Sequence, residues 1–321
     1  MSALLFTRDQ VDEVDDWASR LRHVGRNSIL WIDLDALDPE WVRQLVDTFD
    51  LEDETRKRLL ENCDERPYIG EFGSYLHVVG FAPSRNGDVT ELVKVGCLVS
   101  DRWVVTVHEQ PVDMLEDFRE RAGGSGDIGK LDGPELLADL MEWVLTGYLD
   151  AFEAIELELE EFDTRVMRGE FEEPEDELER LVELRRDVGA LRRALVSHRM
   201  VLLALTRPEI DAVTSSKHTE RFRELQGRLE DVVQAARDSR DSVVGSFDVL
   251  VARTGQRTNE IMKVLTLGTV LLLPGALIAG VMGMNFRIGL FDIGWFFWIV
   301  CSAIVALAAV TLVAARKRRW I

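Results

Sequence analysis

The sequence is short of cysteine, histidine and catalytic signatures, and each shortage removes a class of explanation. Its three cysteines, Cys63, Cys97 and Cys301, are odd in number and far apart, so no disulfide framework is expected, and no C-x-x-C pair is present to hold zinc. The five histidines (His23, His77, His108, His198 and His218) are scattered and none falls in the last hundred residues, which leaves no soft-metal site visible there. H-E-x-x-H and G-x-S-x-G are missing, and with them the familiar metalloprotease and hydrolase centres. The apolar run after Met1 is too short for a signal peptide. Residues 122–130 match G-x-x-x-x-G-K through Gly124, Gly129 and Lys130. A phosphate loop, however, needs a strand before it and Ser or Thr after the lysine, whereas a helix-like segment precedes this one and Leu131 follows. No enzymatic activity, cofactor or nucleotide partner is therefore expected.

Charge is plentiful but unevenly placed. The first 255 residues hold 31 basic and 56 acidic side chains, and the remaining 66 hold seven and two. An acidic body repels nucleic acid and attracts cations at a distance. The basic C-terminal part holds two uncharged stretches, residues 264–284 and 294–315, of 21 and 22 residues. Each is long enough as a helix, roughly 32 Å, to cross a bilayer. Arg253, Arg257 and Lys263 precede the first, and Arg316-Lys317-Arg318-Arg319 closes the second, while the loop 285–293 carries only Arg287 and Asp292. The positive-inside rule then places both chain ends in the cytoplasm, with the protein multi-pass in the inner (plasma) membrane. Trp295, Trp298 and Trp320 stand where interfacial anchors stand.

Ahead of the spans, the first 110 residues alternate strand and helix signals. Strands are expected at 28–34, 75–81, 92–99 and 103–108, and helices at 39–49 and 54–63. This gives a cytoplasmic α/β domain over 1–133. An acidic helical pair follows over 134–207, with helices at 135–168 and 175–206 broken at Gly169 and Pro174. A third helix starts near Ser215 or Ser216, forms a stalk over 208–263 and continues into the first span at 264–284. The loop 285–293, the second span at 294–315 and a basic tail at 316–321 complete the chain.

One heptad register stands out on the long helix. It reads Asp231, Gln234, Asp238, Asp241, Gly245, Asp248, Ala252, Gly255, Asn259, Met262, Thr266, Thr269, Leu273, Ala276, Gly280, Gly283, with no basic residue. In a ring of copies this stripe lines a cation path: acids concentrate ions, hydroxyls and amides contact a hydrated ion, and Met262 and Leu273 form apolar collars. The same spacing of small residues also suits close packing between membrane helices, or a solvated face.

Gly283-Met284-Asn285 ends the first span, after Thr258-Asn-Glu-Ile-Met-Lys-Val-Leu-Thr, Pro274 and Gly280-Val-Met, and ahead of a second span and a Lys-Arg-Arg-Trp tail. With Arg66-Pro-Tyr-Ile-Gly-Glu-Phe and Val95-Gly-Cys-Leu-Val-Ser-Asp-Arg-Trp, the chain resembles the CorA family of magnesium channels. The resemblance implies a CorA-like homopentameric funnel with Gly283, Met284 and Asn285 as selectivity filter. The pore lining would be Asp248, Asn259, Met262, Thr266, Thr269, Leu273, Ala276 and Gly280. It implies transport of Mg2+, with Co2+ or Ni2+ beside it, and cytoplasmic regulatory metal sites drawn from Glu224, Asp231, Asp238, Asp241 and Asp248. The loop Phe286-Arg-Ile-Gly-Leu-Phe-Asp departs from the family's usual acidic loop. That departure keeps a ZntB-like, proton-coupled Zn2+ transporter in view, alongside a membrane-anchored metal sensor or scaffold without flux.

Overall fold

The computed structural model describes residues 2–7, 11–21, 24–25, 28–35, 38–61, 66–86, 89–112, 115–119, 132–170, 173–207, 210, 216–284 and 295–317. Asn285, the rest of the loop 285–293, the glycine-rich stretch 122–130, Cys63 and the tail beyond Lys317 lie outside them. The chain forms two compact units, Met1–Thr164 with Glu175–Phe247, and Arg165–Pro174 with Asp248–Ile321.

The first unit is built on a seven-stranded sheet. Its strands are β1 (Ser2–Thr7), β2 (Val11–Glu13), β3 (Ser28–Leu34), β4 (Tyr68–Glu71), β5 (Leu76–Asn86), β6 (Val89–Ser100) and β7 (Trp103–His108). Their order is β2-β1-β3-β7-β6-β5-β4, and every pairing is antiparallel except β3 with β7. The central β3, Ser-Ile-Leu-Trp-Ile-Asp-Leu, is buried along almost its whole length, so its two faces must both be covered. On one face Leu30, Ile32 and Leu34 join Val105 and Val107 of β7. They meet Val42, Leu45 and Phe49 of α2 (Pro39–Phe49), beside α1 (Trp17–Leu21) and α3 (Asp53–Glu61). Trp17 stacks on Phe49 at 5.7 Å. On the other face Trp31 meets Phe118, in the short helical stretch 115–119 (α4), and Phe118 meets Trp143 of α5 (Gly133–Arg168).

The remaining helices are α6 (Pro174–Leu205), α7 (Ser216–Met282) and α8 (Phe296–Lys317). Asp132 starts α5 by accepting a bond from the Glu135 amide, with Pro134 in the first turn where its missing N–H costs nothing. Gly169 ends α5 at a positive φ of 73°. Charged pairs then tie α7 to α5: Arg221 reaches Asp139 at 3.1 Å and also Glu142, Arg228 reaches Glu142, and His218 meets Asp132 at 2.8 Å. Between α6 and its neighbours, Arg180 pairs with Glu158 at 2.5 Å and Arg199 with Glu230 at 2.8 Å.

The helices are also pinned to the sheet at one backbone position. Strand β4 pairs with β5 only as far as Val79, which leaves the outer edge of Phe81 without a strand neighbour. Two side chains take its place: the Phe81 N–H donates to His198 Nε2 at 3.0 Å, and the Tyr148 hydroxyl donates to the Phe81 carbonyl at 3.0 Å. His198 Nδ1 donates in turn to the Ala194 carbonyl at 2.8 Å, so the ring is neutral with its proton on Nδ1. Gly80 makes room for it, since a Cβ there would stand 3.1 Å from His198 Nε2.

The sequence-based expectations hold for β3, α2 and β7 at the residues expected, while β5 and β6 run longer and α3 stops at Glu61. Strands β1 and β2 and helix α1 were not anticipated, while β4 falls in the Arg66-Pro-Tyr-Ile-Gly-Glu-Phe segment that resembles the family's central strands. The short apolar run after Met1 is the strand β1, paired with β3 from Ser2↔Asp33 to Thr7↔Ser28.

Burial lowers the His198 pKa from 6.5 to about 4, against the pull of its bonds to the Ala194 and Leu195 backbone. The unfolded chain therefore binds an extra proton between those values. The contribution of a neutral His198 is complete above pH 6.5 and is lost as the pH falls towards 4. His198→Ala should lower unfolding free energy by about 1–3 kcal/mol at neutral pH, because the Phe81 N–H is left buried and unpaired. The difference from the native chain should shrink on acidification, as read by denaturant titration across that range.

Candidate functional site

The long helix α7 is where the candidate residues lie, and each of its two parts is two-faced. In the first unit Phe222, Leu225, Leu229, Val232, Ala236, Ser239, Val243 and Ser246 are buried at alternating three- and four-residue steps. Ser239 donates to Glu156 of α5 at 3.0 Å within this seam. At 100° per residue the seam centres roughly half a turn away from Asp231, Gln234, Asp238, Asp241 and Gly245. All five of those are exposed.

The second unit repeats the arrangement in the spans. Leu267, Leu271, Pro274, Gly275, Ile278 and Met282 are the partly covered residues of this stretch and share one face. Gly275 lies on it, close enough to α8 that a Cβ would stand 3.2 Å from Ile304 Cγ2. Asp248, Ala252, Gly255, Asn259, Met262, Thr266, Thr269, Leu273, Ala276, Gly280 and Gly283 lie on the opposite face, and every one is exposed. The heptad register picked out in the sequence is thus, at all sixteen positions, the face that the chain does not pack on itself.

The acids divide in the same way. Glu135, Asp139, Glu142, Glu158 and Glu230 engage cations on other helices. The stripe acids do not. Asp238 accepts from Gln234 at 2.8 Å and Asp241 lies 4.0 Å from Arg240, both on the same helix, and Asp231 and Asp248 have no ion pair among the described residues. Glu224 faces Arg221 at 3.4 Å, one turn away, and is not on the stripe. Burial raises the Asp139 pKa, with Arg221 at 3.1 Å pulling the other way. Among the described residues of one chain no three His, Cys, Asp or Glu side chains gather to hold a metal.

Further along α7, the Thr269 hydroxyl donates to the Leu265 carbonyl at 2.9 Å, leaving its lone pairs directed outward. Pro274 passes within the helix without ending it. At the far end the Gly283 N–H bonds Ala279 at 2.9 Å and the Met284 N–H bonds Val281 at 3.2 Å, a tightened last turn. The terminal carbonyls present partial negative charge there. Gly283 and Met284 are both exposed, and the third member of the motif, Asn285, lies outside the described residues. Both spans are long and apolar, and neither has its apolar window buried. A core helix of a soluble protein hides such side chains, whereas Val264, Leu272, Leu277, Trp298 and Val305 are each about two-thirds exposed or more.

The sequence pattern of the family described as CorA-like Mg2+ transporter protein matches residues 26–317. The cobalt/magnesium transport protein CorA of Thermotoga maritima is 27% identical over 265 residues, covering 81% of this chain and 74% of that one. The complete structure of the CorA magnesium transporter from Methanocaldococcus jannaschii superposes with a TM-score of 0.80 at 19% identity, covering 100% of this chain and 99% of that one. The cytoplasmic domain of ZntB from Vibrio parahaemolyticus gives a TM-score of 0.60 at 14% identity, over 80% of this chain and 98% of that one.

Gly275→Leu should lower the melting temperature of the purified protein, because the larger side chain overlaps Ile304 and forces the hairpin apart at a cost of about 1–3 kcal/mol. Thermal unfolding in detergent, with Trp295 and Trp298 kept as reporters and the other six tryptophans replaced by phenylalanine in both proteins compared, is the check.

Proposed function

The chain belongs to the CorA-like Mg2+ transporter family, and from that membership we propose that it carries divalent metal cations across the inner membrane through a pore built by five copies. Mg2+ is the foremost cargo, with Co2+ and Ni2+ beside it. The observation that carries the reading is the stripe: sixteen exposed positions without a basic residue, opposite the face the chain packs on itself. Two helices from one chain cannot enclose a path, so the free face needs further copies around an axis.

In that ring Asp231, Asp238, Asp241 and Asp248 gather cations at the cytoplasmic end. Asn259, Thr266 and Thr269 offer an amide and hydroxyls to a hydrated ion, which suits Mg2+ because it surrenders its waters reluctantly. Met262 and Leu273 are apolar collars that close by dewetting. Ala276 and Gly280 keep the outer passage wide, and Gly283, Met284 and Asn285 form the filter. Both chain ends are cytoplasmic. A membrane potential of about 100 mV then contributes roughly 4.6 kcal/mol to moving a double charge inward, so uptake runs without a nucleotide. Glu224 and the stripe acids hold regulatory metal between neighbouring copies when the cytoplasmic concentration is high. Residues 1–133 and the helical pair 134–207 form the cytoplasmic body around the stalk 208–263, with spans at 264–284 and 294–315, a loop at 285–293 and a tail at 316–321.

A ZntB-like, proton-coupled Zn2+ transporter is the second reading. It is favoured by the likeness to the ZntB cytoplasmic domain and by Arg287 beside the filter. The protein reconstituted in liposomes should take up Mg2+ down its gradient, and Asn285→Ala should reduce or redirect that flux. Zn2+ uptake that outpaces Mg2+ and follows a proton gradient would favour the second reading. Absence of flux under every gradient would leave a membrane-anchored sensor.

A further inference from the structure

On the first unit, away from the stripe, a cleft of about 630 Å³ opens between the 190–197 turn of α6, strands β5 and β6 and the residues leading into β4. Among the described residues its charged lining is basic: Arg66, Arg192 and Arg193. Acids outnumber bases by 56 to 31 in the first 255 residues. On the same helix Arg180, Arg186 and Arg199 pair with Glu158, Asp187 and Glu230, while Arg185 has no ion pair among the described residues. Arg66, Arg192 and Arg193 are exposed, and their guanidinium groups have no ion pair or hydrogen bond among the described residues.

The walls are fixed even though the arginine tips are free. Phe81 lines the cleft, and its backbone is the position held on one side by His198 and on the other by Tyr148. Ser197 is tied back to the Arg193 carbonyl at 2.8 Å. Phe81 and Leu92 supply an apolar surface beside the cations. Three guanidinium forks around an open, partly apolar cleft match an oxyanion carrying more than one negative charge, because each fork can meet two oxygens of a phosphoryl group. The net negative charge of the body works against long-range capture, so affinity has to come from these contacts.

We propose that this cleft binds a small phosphate-bearing anion of the diphosphate type. Neither a phosphate loop nor a metal is required, since the arginines supply the positive charge. Magnesium is bound through phosphate oxygens, the same atoms the arginines engage. The metal-free anion is therefore the form the cleft takes, and Mg2+ competes with the protein for it. The proposal stands independently of ion transport.

The test is calorimetric titration of the full-length protein in nanodiscs of zwitterionic lipid, with pyrophosphate as the bare diphosphate and ATP as its organic form. Saturable binding of either probe is expected. Each of Arg66→Gln, Arg192→Gln and Arg193→Gln should weaken it about tenfold, the loss of one charge-assisted contact. Arg43→Gln, an exposed arginine on α2 outside the cleft, should leave it unchanged. Because all four positions are exposed, unaltered melting of the variants confirms that they fold. Binding by ATP alone assigns the apolar wall to the organic part, and binding by both assigns affinity to the diphosphate. No saturable binding of either probe, or binding indifferent to the three substitutions, overturns the proposal, and tighter binding with excess Mg2+ overturns the metal-free assignment.

Discussion

A long helix in a protein draws most of its stability from packing, and among the described residues the 67-residue helix of this chain is covered along one face only. That constraint organises the rest. Phe222 to Ser246 give α7 a buried seam in the first unit, and in the second the Gly275 face fits closely against Ile304 of α8. Both use the same side of the heptad pattern. What remains in each unit is the exposed opposite face, and the composition of this stripe differs from that of a face made only for water. It is acidic at one end, small, hydroxylated and weakly apolar at the other, and free of lysine and arginine throughout.

Electrostatics separates the two faces further. Carboxylates on α5 are consumed by Arg221, Arg228 and Lys217, which clamp the start of α7 onto the helical pair. Those pairs are structural, and the buried position of Asp139 raises its pKa because a charge there has lost much of its water. The stripe acids have no cation on another element among the described residues, so their field is not neutralised locally. Copies of the helix around an axis would add those fields together, which suits a cation and excludes an anion. The spans impose the other half of the arrangement. Their exposed apolar side chains need lipid or neighbouring copies to cover them.

Much of this was legible in the sequence because it is periodic or long. The two uncharged stretches, the apolar runs of β3 and β7, and the stripe register are patterns that one chain's local order produces, and the Gly283-Met284-Asn285 motif carried the family likeness. The elements missed are those that depend on partners. Strand β1 is six residues whose only signal is apolar and β2 is three residues long, so their pairing decides them and their sequence does not. His198 is equally silent in sequence. Nothing near it announces that the Phe81 backbone, 117 residues earlier, lacks a strand neighbour and takes the imidazole as acceptor. The choice between pore lining and plain helix packing was open for the stripe, and what bears on it is the side of α7 that the chain's own helices occupy.

The central claim is that this free face borders water and not lipid or a dry helix contact. With Cys63, Cys97 and Cys301 replaced by alanine, single cysteines at Thr266, Thr269 and Leu273 can be compared with cysteines at Leu271 and Ile278 on the opposite, partly covered face. The account predicts that a water-soluble cationic thiol reagent modifies the first three in membranes, blocks ion flux as it does so, and leaves the last two untouched. Equal protection of all five, or faster reaction at Leu271 and Ile278, would contradict it.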